Sequence, residues 1–501
     1  MASEIRVNKI INRSGLSTVT FTSDGAIVSG IVSATVYTGS GANLTDLPAG
    51  NLSGTLPAIS AANLTNVPAA NITGTLPAIS AANLTNVPAA NITGTLPAID
   101  GSNLTGVGAS FGNSSVNTSG IITATAFVPT TQGSLSHRNI AINGAMTIAQ
   151  RGTSSTASNG FHTVDRWSQN HGSTDEAPTF STFSVDPPGQ YHLPTTGPHP
   201  YKEGFRQAWG VTNGNQTSGA GADDNIIMGY AFEAQDIATC GWDYTNPNSF
   251  ITLSFWVKSS VAQEFYGQLL TQDGTIYNYP FGTGALTAFT WKKVVKTIPG
   301  NANITFNNDN GSGLRFYLWP FAGTNLTGAI TNDAWMVNNY STRVYNNTTT
   351  WYTTNDASLQ ITGFQLEVGS VATPFEHRTR TEELQRCRRY FQRFSAYGDH
   401  QHFGVARAES NTARTGLVIP VPMRAVPTVA CNGHRTFRGD GGYNSESTST
   451  PSVTYSGSGA WVSDSNIYTV DFPGHSLTHN RMYCLMSKTT STNALTLDSE
   501  L

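Results

Sequence analysis

The chain has 501 residues, only 12% of them charged, and a formal net charge of -4. With no basic stripe to neutralise a phosphate backbone, nucleic acid is excluded as a partner. No apolar run is long enough to cross a bilayer, and Met1–Arg6 lacks the apolar core and cleavage site of an export signal, so neither membrane insertion nor Sec export is expected.

Gly is plentiful (49 residues), Ser, Thr and Asn are abundant, and long Leu/Glu/Lys stretches are almost absent. That balance predicts a mainly β protein, because β-branched side chains suit a pleated surface and Gly and Asn suit its turns. Cys240, Cys387, Cys431 and Cys484 form no C-x-x-C pair and are expected as thiols serving as small core residues.

Residues 1–42 form an N-terminal attachment region in which Arg6–Ile11 and Gly30–Val36 predict short strands around Gly/Ser turns. From Asn43 a twenty-residue phrase recurs: residues 63–79 (NLTNVPAANITGTLPAI) and 83–99 are identical, and 43–59 differ by a few conservative changes. The Asn-Leu-Thr and Asn-Ile-Thr triplets match glycosylation acceptors, but without an export signal they are turn or strand residues. Each unit carries few apolar groups (Leu64, Val67, Ile72, Leu76 and Ile79 in the second), too few to offset ordering entropy in one chain. Three chains around an axis would bury those stripes and close the sheet edges. Residues 43–107 are therefore expected to form a trimeric β-shaft, at most ~200 Å long at ~3.3 Å per residue, followed by a connector over 108–135.

Between 136 and 377 aromatics become frequent. Ile251, Leu253, Phe255 and Val257 alternate with period two, and Trp291–Ile298, Leu314–Trp319 and Leu359–Val368 are similar runs between Gly/Asn-rich turns. Such spacing predicts a jelly-roll β-sandwich. One short helix is expected over 378–394. It starts at a capping box, Thr379–Glu382, puts Leu384, Cys387 and Phe391 on one face, and leaves Arg386, Arg388, Arg389 and Arg393 on a solvated face. Strands resume over 395–501 (Thr415–Val421, Thr428–Cys431, Ser452–Tyr455, Tyr468–Phe472, Met482–Met486), with a variable loop from Arg438 to Pro451, giving a distal β-sandwich tip.

Several phrases carry a family likeness. Arg138–Met146 (RNIAINGAM), Gln150-Arg151-Gly152 and Val164–Trp167 open a domain, and Gln365–His377 (QLEVGSVATPFEH) with Glu383–Phe391 closes it. These phrases, with the ending Leu495–Leu501 (LTLDSEL), resemble tail fibre proteins of bacteriophages. Glu4–Ile10, Gly30–Thr35 and the shaft repeat are similar to virion proteins of contractile-tailed phages of marine cyanobacteria. The resemblance implies a homotrimeric virion component of the tail, made in the host cytoplasm. It also implies an N-terminal anchor to other tail or baseplate proteins, a carbohydrate-binding-like jelly roll and a receptor-binding tip for host surface glycan or lipopolysaccharide. His171–Gly241 and Arg438–Ser465 fall outside it.

Candidate chemistry is sparse. His400 and His402 have a metal-like spacing on a strand, a set that suits Fe, Ni or Zn, against a solvated or core pair. His475 and His479 follow Pro473-Gly474 and read as a loop. Asn307–Gly311 and Asp223–Asn225 offer oxygen ligands without the Glu at the twelfth position of a calcium loop, and read as turns. Glu233/Asp236 and Glu367/Glu376 are acid pairs that nothing marks as catalytic, and no hydrolase motif is present. No cofactor and no enzymatic activity are expected. Trp351, Tyr352, Tyr443 and Trp461 lie amid Asn, Thr, Ser and Gly and are the candidate sugar-contacting aromatics, against burial in the sandwich. The leading expectation is a non-enzymatic fibre that attaches a virion to its host through multiplied weak contacts. The alternatives are a polysaccharide depolymerase tailspike and a purely structural baseplate or tail component.

Overall fold

The computed structural model describes residues 9–11, 18–23, 25–33, 35–36, 38, 137–190, 196–394, 402–431, 434–437, 443–453, 467–487 and 495–501. The shaft and connector expected over 43–135 lie outside the described residues. The chain divides into two compact units, Met1–Thr118 and Ser119–Leu501.

The described part of the first unit is a three-stranded antiparallel sheet in the order Lys9–Ile11, Thr18–Thr22, Gly25–Ser29. The hydroxyl of Thr22 closes the hairpin by donating to the Gly25 carbonyl at 2.9 Å. The expected strand over Gly30–Val36 is irregular at its described residues. Ile27 and Val28, on opposite faces of their strand, are 58% and 39% exposed. Three short strands with an apolar residue open on each side have little to hold them in isolation.

The second unit is mainly β, as composition predicted, with several antiparallel sheets and no closed barrel among the described residues. Residues 154–368 form a sandwich. A six-stranded sheet runs Lys292–Pro299, Phe250–Ser259, Ser358–Val368, Gln207–Thr212, Thr179–Ser184, Ser154–Ser155. A seven-stranded sheet runs Met336–Val337, Tyr277–Gly282, Tyr266–Thr271, Ser312–Ala322, Asn225–Glu233, Trp167–Gly172, Asn159–Gly160. Ile251, Leu253, Phe255 and Val257 are all fully buried, as their alternation requires. From the opposite sheet, Leu314, Phe316 and Leu318 enter the same core. At its centre Trp167 meets Trp209, Tyr230 and Phe364 at ring separations of 5.4, 5.1 and 5.0 Å.

Helix Arg380–Arg388 follows the sandwich, and the Thr379 hydroxyl caps it by accepting from the Glu382 amide at 3.2 Å. The Glu382 carboxylate does not complete the expected box; Arg386 takes it at 3.5 Å. Cys387 is buried and Leu384 half-buried against Ile142, Ile148 and Tyr390, whereas Phe391 belongs to the next strand, Phe391–Phe394. The expected solvated arginine face is corrected. Arg389 grips the fully buried Glu233 through Nε and Nη2 at 2.8 and 2.9 Å, and Arg393 donates to the Gln150 carbonyl at 2.9 Å. A buried carboxylate needs such partners, and Glu233 lies on a distant strand that local sequence does not reveal.

The distal residues pack a three-stranded sheet (Phe391–Phe394, Leu495–Asp498, Thr428–Cys431) against a seven-stranded one. The latter runs Tyr443–Ser447, His434–Phe437, Met482–Ser487, His402–Glu409, Thr412–Val418, Ile467–Phe472, Ser452–Val453. Leu417, Val429, Val470, Phe472, Leu485 and Leu497 fill the space between them. The run expected to reach Val421 stops at Val418, just ahead of Pro420 and Pro422, and the loop expected over Arg438–Pro451 contains the strand Tyr443–Ser447. No disulfide joins the four cysteines among the described residues; Cys387 and Cys431 are buried, and Cys240 and Cys484 are half-buried.

Residues after Leu495–Asp498 lock the distal sheets to the sandwich. Glu500 is buried against the Arg166 guanidinium, itself 1% exposed, and accepts from Arg151 at 3.3 Å. Arg151 also reaches Asp498 at 2.9 Å. The two guanidiniums lie over the rings of Tyr390 and Phe391, at 3.4 and 3.7 Å to the centroids. Arg424 donates to the carbonyls of Ser499, Glu500 and Asn310 at 2.8, 3.0 and 2.7 Å. The opening phrase, the helix region and the final phrase thus meet at one buried network.

A second buried polar feature makes the distal sheets acid-sensitive. His475 lies in a loop after Pro473-Gly474, as expected, but is buried there: it is 2% exposed, and its Nε2 lies 2.6 Å from Nδ1 of the fully buried His434. Burial, and then the neighbouring His434, push the His475 imidazole down from 6.5 to about 4, and burial lowers His434 as well. Below pH 6.5 the unfolded chain takes up protons that the folded chain refuses, so stability falls by up to ~1.4 kcal/mol per pH unit per histidine until His475 protonates. Asp165 acts in the opposite sense, since burial raises its carboxyl to about 6 and favours the fold as pH drops through that range. The expected observation is therefore a difference: urea midpoints of the wild type should fall more steeply between pH 6.5 and 4 than those of His475→Gln. Parallel curves would refute it.

Candidate functional site

The outer face of the seven-stranded sandwich sheet carries a cleft of about 550 Å³, within the range of small-ligand sites. Its floor follows from strand alternation. Along Ser312–Ala322, Leu314, Phe316 and Leu318 point into the core, which leaves Arg315, Tyr317 and Trp319 on the outer side. In register with them on Asn225–Glu233 stand Ala231 opposite Arg315 and Gly229 opposite Tyr317, with Ser168 and Asn170 on the strand beyond. Small residues at 229 and 231 make the depression. A Cβ at Gly229 would come within 3.1 Å of the Tyr317 ring and 2.5 Å of the Ser168 hydroxyl, so only glycine lets that ring lie across the strand.

Asn159, Asn170 and Asn225 supply amides at one end, and Arg343 and Leu326 close the other. Arg315 donates from Nε to the Ser312 hydroxyl at 3.1 Å and from Nη1 to the Tyr317 hydroxyl at 3.2 Å, which holds the phenol in place. The Arg343 guanidinium sits 5.9 Å from the Trp319 ring and donates from Nε to the Tyr340 carbonyl at 3.1 Å. Trp319 is buried beneath the cleft, and Gln169 turns its amide to the Ala157 carbonyl, to which it donates at 2.7 Å. A half-buried aromatic face with amides and guanidiniums around it can hold a polyhydroxylated ligand by stacking and hydrogen bonding. No Asp or Glu side chain lines the cleft among the described residues.

No family model matches the chain, and no curated protein does. Solved structures do show a partial likeness. The enzymatically active domain of tailspike protein 4 of bacteriophage CBA120 is similar over 46% of this chain and 21% of that one, at 9% identity and a TM-score of 0.23. A family 11 carbohydrate-binding module from Clostridium thermocellum, in complex with a β-1,3-1,4-mixed-linked tetrasaccharide, is similar over 43% of this chain and 99% of that one, at 12% identity and a TM-score of 0.19. A putative sugar binding protein from Bacteroides thetaiotaomicron covers 46% of this chain and 99% of its own, at 9% identity and a TM-score of 0.23. At TM-scores this low nothing passes from those proteins to this chain, and the site stands on its own residues.

The aromatics expected to contact sugar are not the ones in the cleft. Trp351 is fully buried, edge-on to Phe265 at 6.2 Å, and Tyr352 is 1% exposed and stacked on Phe321 at 4.0 Å. Both are core residues, because the polar turn that carries them folds back under the sheet end through Thr353 N–H to Thr349 and Thr354 N–H to Trp351. Tyr443 pairs with Phe437 along the backbone, while its side chain, Trp461 and His400 lie outside the described residues. His402 opens an exposed strand end, and no trio of His, Cys, Asp or Glu side chains is poised to hold a metal among the described residues.

The oxygen-rich runs are turns and struts. Asp309 accepts from Gly311 N at 2.9 Å, Asn307 bonds to Asp273, and Asn310 meets Arg424 of the distal region. Asp224 accepts from Gly221 N at 2.6 Å, and Asp223 accepts from Asn325 at 2.8 Å. Of the acid pairs, Glu233, Glu367 and Glu376 are also committed. Burial alone would raise Glu233, but hydrogen bonds from Arg389 and Tyr390 hold its carboxyl below the usual range. Glu367 accepts from Thr373 N at 2.8 Å, and Glu376 accepts from Asn139 N at 2.8 Å and Arg378 at 2.9 Å. A shallower depression beside Phe375 and His377 has a single carboxylate, Glu203, already taken by Lys293 and the Trp256 indole, each at 3.1 Å.

Proposed function

We propose that this chain is a phage tail fibre protein that attaches a virion to its host, and that the Tyr317 cleft is a glycan-binding site. The observation that carries the glycan reading is the Tyr317 ring laid across Gly229, with Arg315 holding its hydroxyl and the amides of Asn159, Asn170 and Asn225 lining the same cleft. The phage reading is supported by the opening, closing and final phrases, which converge in space on the Arg151–Arg166–Glu500 network. The phase-locked repeat supports three chains per fibre, with the N-terminal sheet as the anchor to other tail proteins.

Binding is favoured over depolymerisation. Hydrolysis of a glycosidic bond uses two carboxylates about 5–9.5 Å apart, and the cleft side chains provide none among the described residues. The full chain, applied to an array of bacterial surface glycans, is expected to retain at least one of them, with retention reduced at least about tenfold in Tyr317→Ala, a loss of ~1.4 kcal/mol. An array on which nothing is held, or on which Tyr317→Ala changes nothing, sinks the cleft reading. Release of reducing ends from a retained glycan would favour the depolymerase instead, and a solution mass of one chain would end the trimer.

A further inference from the structure

We infer that the cleft selects a glycan bearing negative charge, such as a uronate or a sulfated sugar. This inference rests on the glycan reading and adds the charge of the ligand to it. Elsewhere in the unit, four guanidiniums held against the fold meet carboxylates: Arg166 meets Glu500, Arg151 meets Glu500 and Asp498, Arg378 meets Glu376 and Glu383, and Arg389 meets Glu233, whereas Arg424 and Arg393 spend their donors on backbone carbonyls. Arg315 and Arg343 are different. Their partners are the Ser312 and Tyr317 hydroxyls and the Tyr340 carbonyl, all neutral, and no carboxylate pairs with either among the described residues.

The cleft therefore gathers two uncompensated charges around one aromatic platform. Arg315 has Nη2 free, and Arg343 has both terminal nitrogens free, while the rings of Trp319 and Tyr340 lie within 5.9 and 5.0 Å of the latter. A planar guanidinium with two open N–H groups matches a carboxylate or a sulfate in a fork, and such charge-assisted bonds are roughly twice as strong as neutral ones. A neutral sugar would satisfy the Asn amides and the Tyr317 face but leave both guanidiniums without a counter-charge. An acidic sugar supplies one.

Titration calorimetry of the full chain tests this with three oligosaccharides of matched length: a trigalacturonate, a heparin-derived sulfated oligosaccharide and a neutral mixed-linked β-glucan. At least one acidic probe is expected to bind about tenfold tighter than the neutral one. That preference should fade as ionic strength approaches about 1 M, where the Debye length shrinks to about 3 Å. Arg315→Gln and Arg343→Gln should each narrow the gap between the two affinities by weakening the acidic probe more than the neutral one, with folding checked by the thermal midpoint. A preference for the uronate over the sulfated probe, or the reverse, identifies which anion the fork fits. Equal or tighter binding of the neutral glucan overturns the charge inference and leaves the glycan cleft standing. Absence of binding by all three, together with an empty surface-glycan array, overturns both.

Discussion

Glu500→Ala is expected to cost the Ser119–Leu501 unit about 3–5 kcal/mol of folding stability, the usual result of removing one partner from a buried ion pair. Arg166 is 1% exposed and would be left with a charge that water cannot reach, and Arg151 would lose one of its three carboxylate partners. The remaining contacts of Arg166 are the Ala231 carbonyl and the faces of Tyr230 and Tyr390, none of which carries a compensating charge. Urea unfolding should show the midpoint moving sharply, with near-ultraviolet signals of the sandwich and of the distal sheets lost together. The double variant Arg166→Met/Glu500→Leu should recover part of the loss, since it removes both charges at once. A single-variant loss below about 1 kcal/mol would mean that solvent enters the network and that the lock is weaker than its burial implies.

The second large effect is expected at Trp167. Trp167→Ala should remove about 3–5 kcal/mol, because it empties the centre of an aromatic cluster that includes Trp209, Tyr230, Phe316 and Phe364. Trp167→Phe should cost markedly less, since the indole N–H has no partner to lose. This strand also carries Ser168 and Asn170 into the cleft, so the alanine variant should weaken glycan retention along with stability. Tyr317→Ala, by contrast, should impair retention with little change in unfolding. Measuring both quantities on both variants separates the platform from the scaffold beneath it; equal unfolding costs for the two substitutions would undo that separation.

How far sequence alone reached depends on the range of the interaction. Period-two alternation placed Ile251, Leu253, Phe255 and Val257 in the core, and the Thr379 cap set the helix start, because both signals are complete within a few residues. The buried network was hidden: Arg389 and Glu233 are 156 positions apart, and Arg166 and Glu500 are 334 apart. Each of those charges, taken singly, looks like an ordinary surface residue. Trp351 and Tyr352 were misleading for the converse reason, as their neighbours are polar while their own rings are swallowed by the sheet end. The cleft itself was half legible. The alternation that buries Leu314, Phe316 and Leu318 puts Arg315, Tyr317 and Trp319 on the other side, a signal within reach of inspection. That Gly229 lies under Tyr317 is a matter of strand register, which no local pattern states.

The network around Glu500 has a consequence for time as well as for stability. A contact spanning 334 positions closes only after the intervening chain has been gathered, and folds that rely on such distant pairings mature slowly. Until then Arg166 stands desolvated without its counterion, so an early sandwich is held back from completion and the distal sheets lack their mooring. Maturation of the two regions becomes a single late event, and refolding of the whole unit should lag far behind the hairpins that build it.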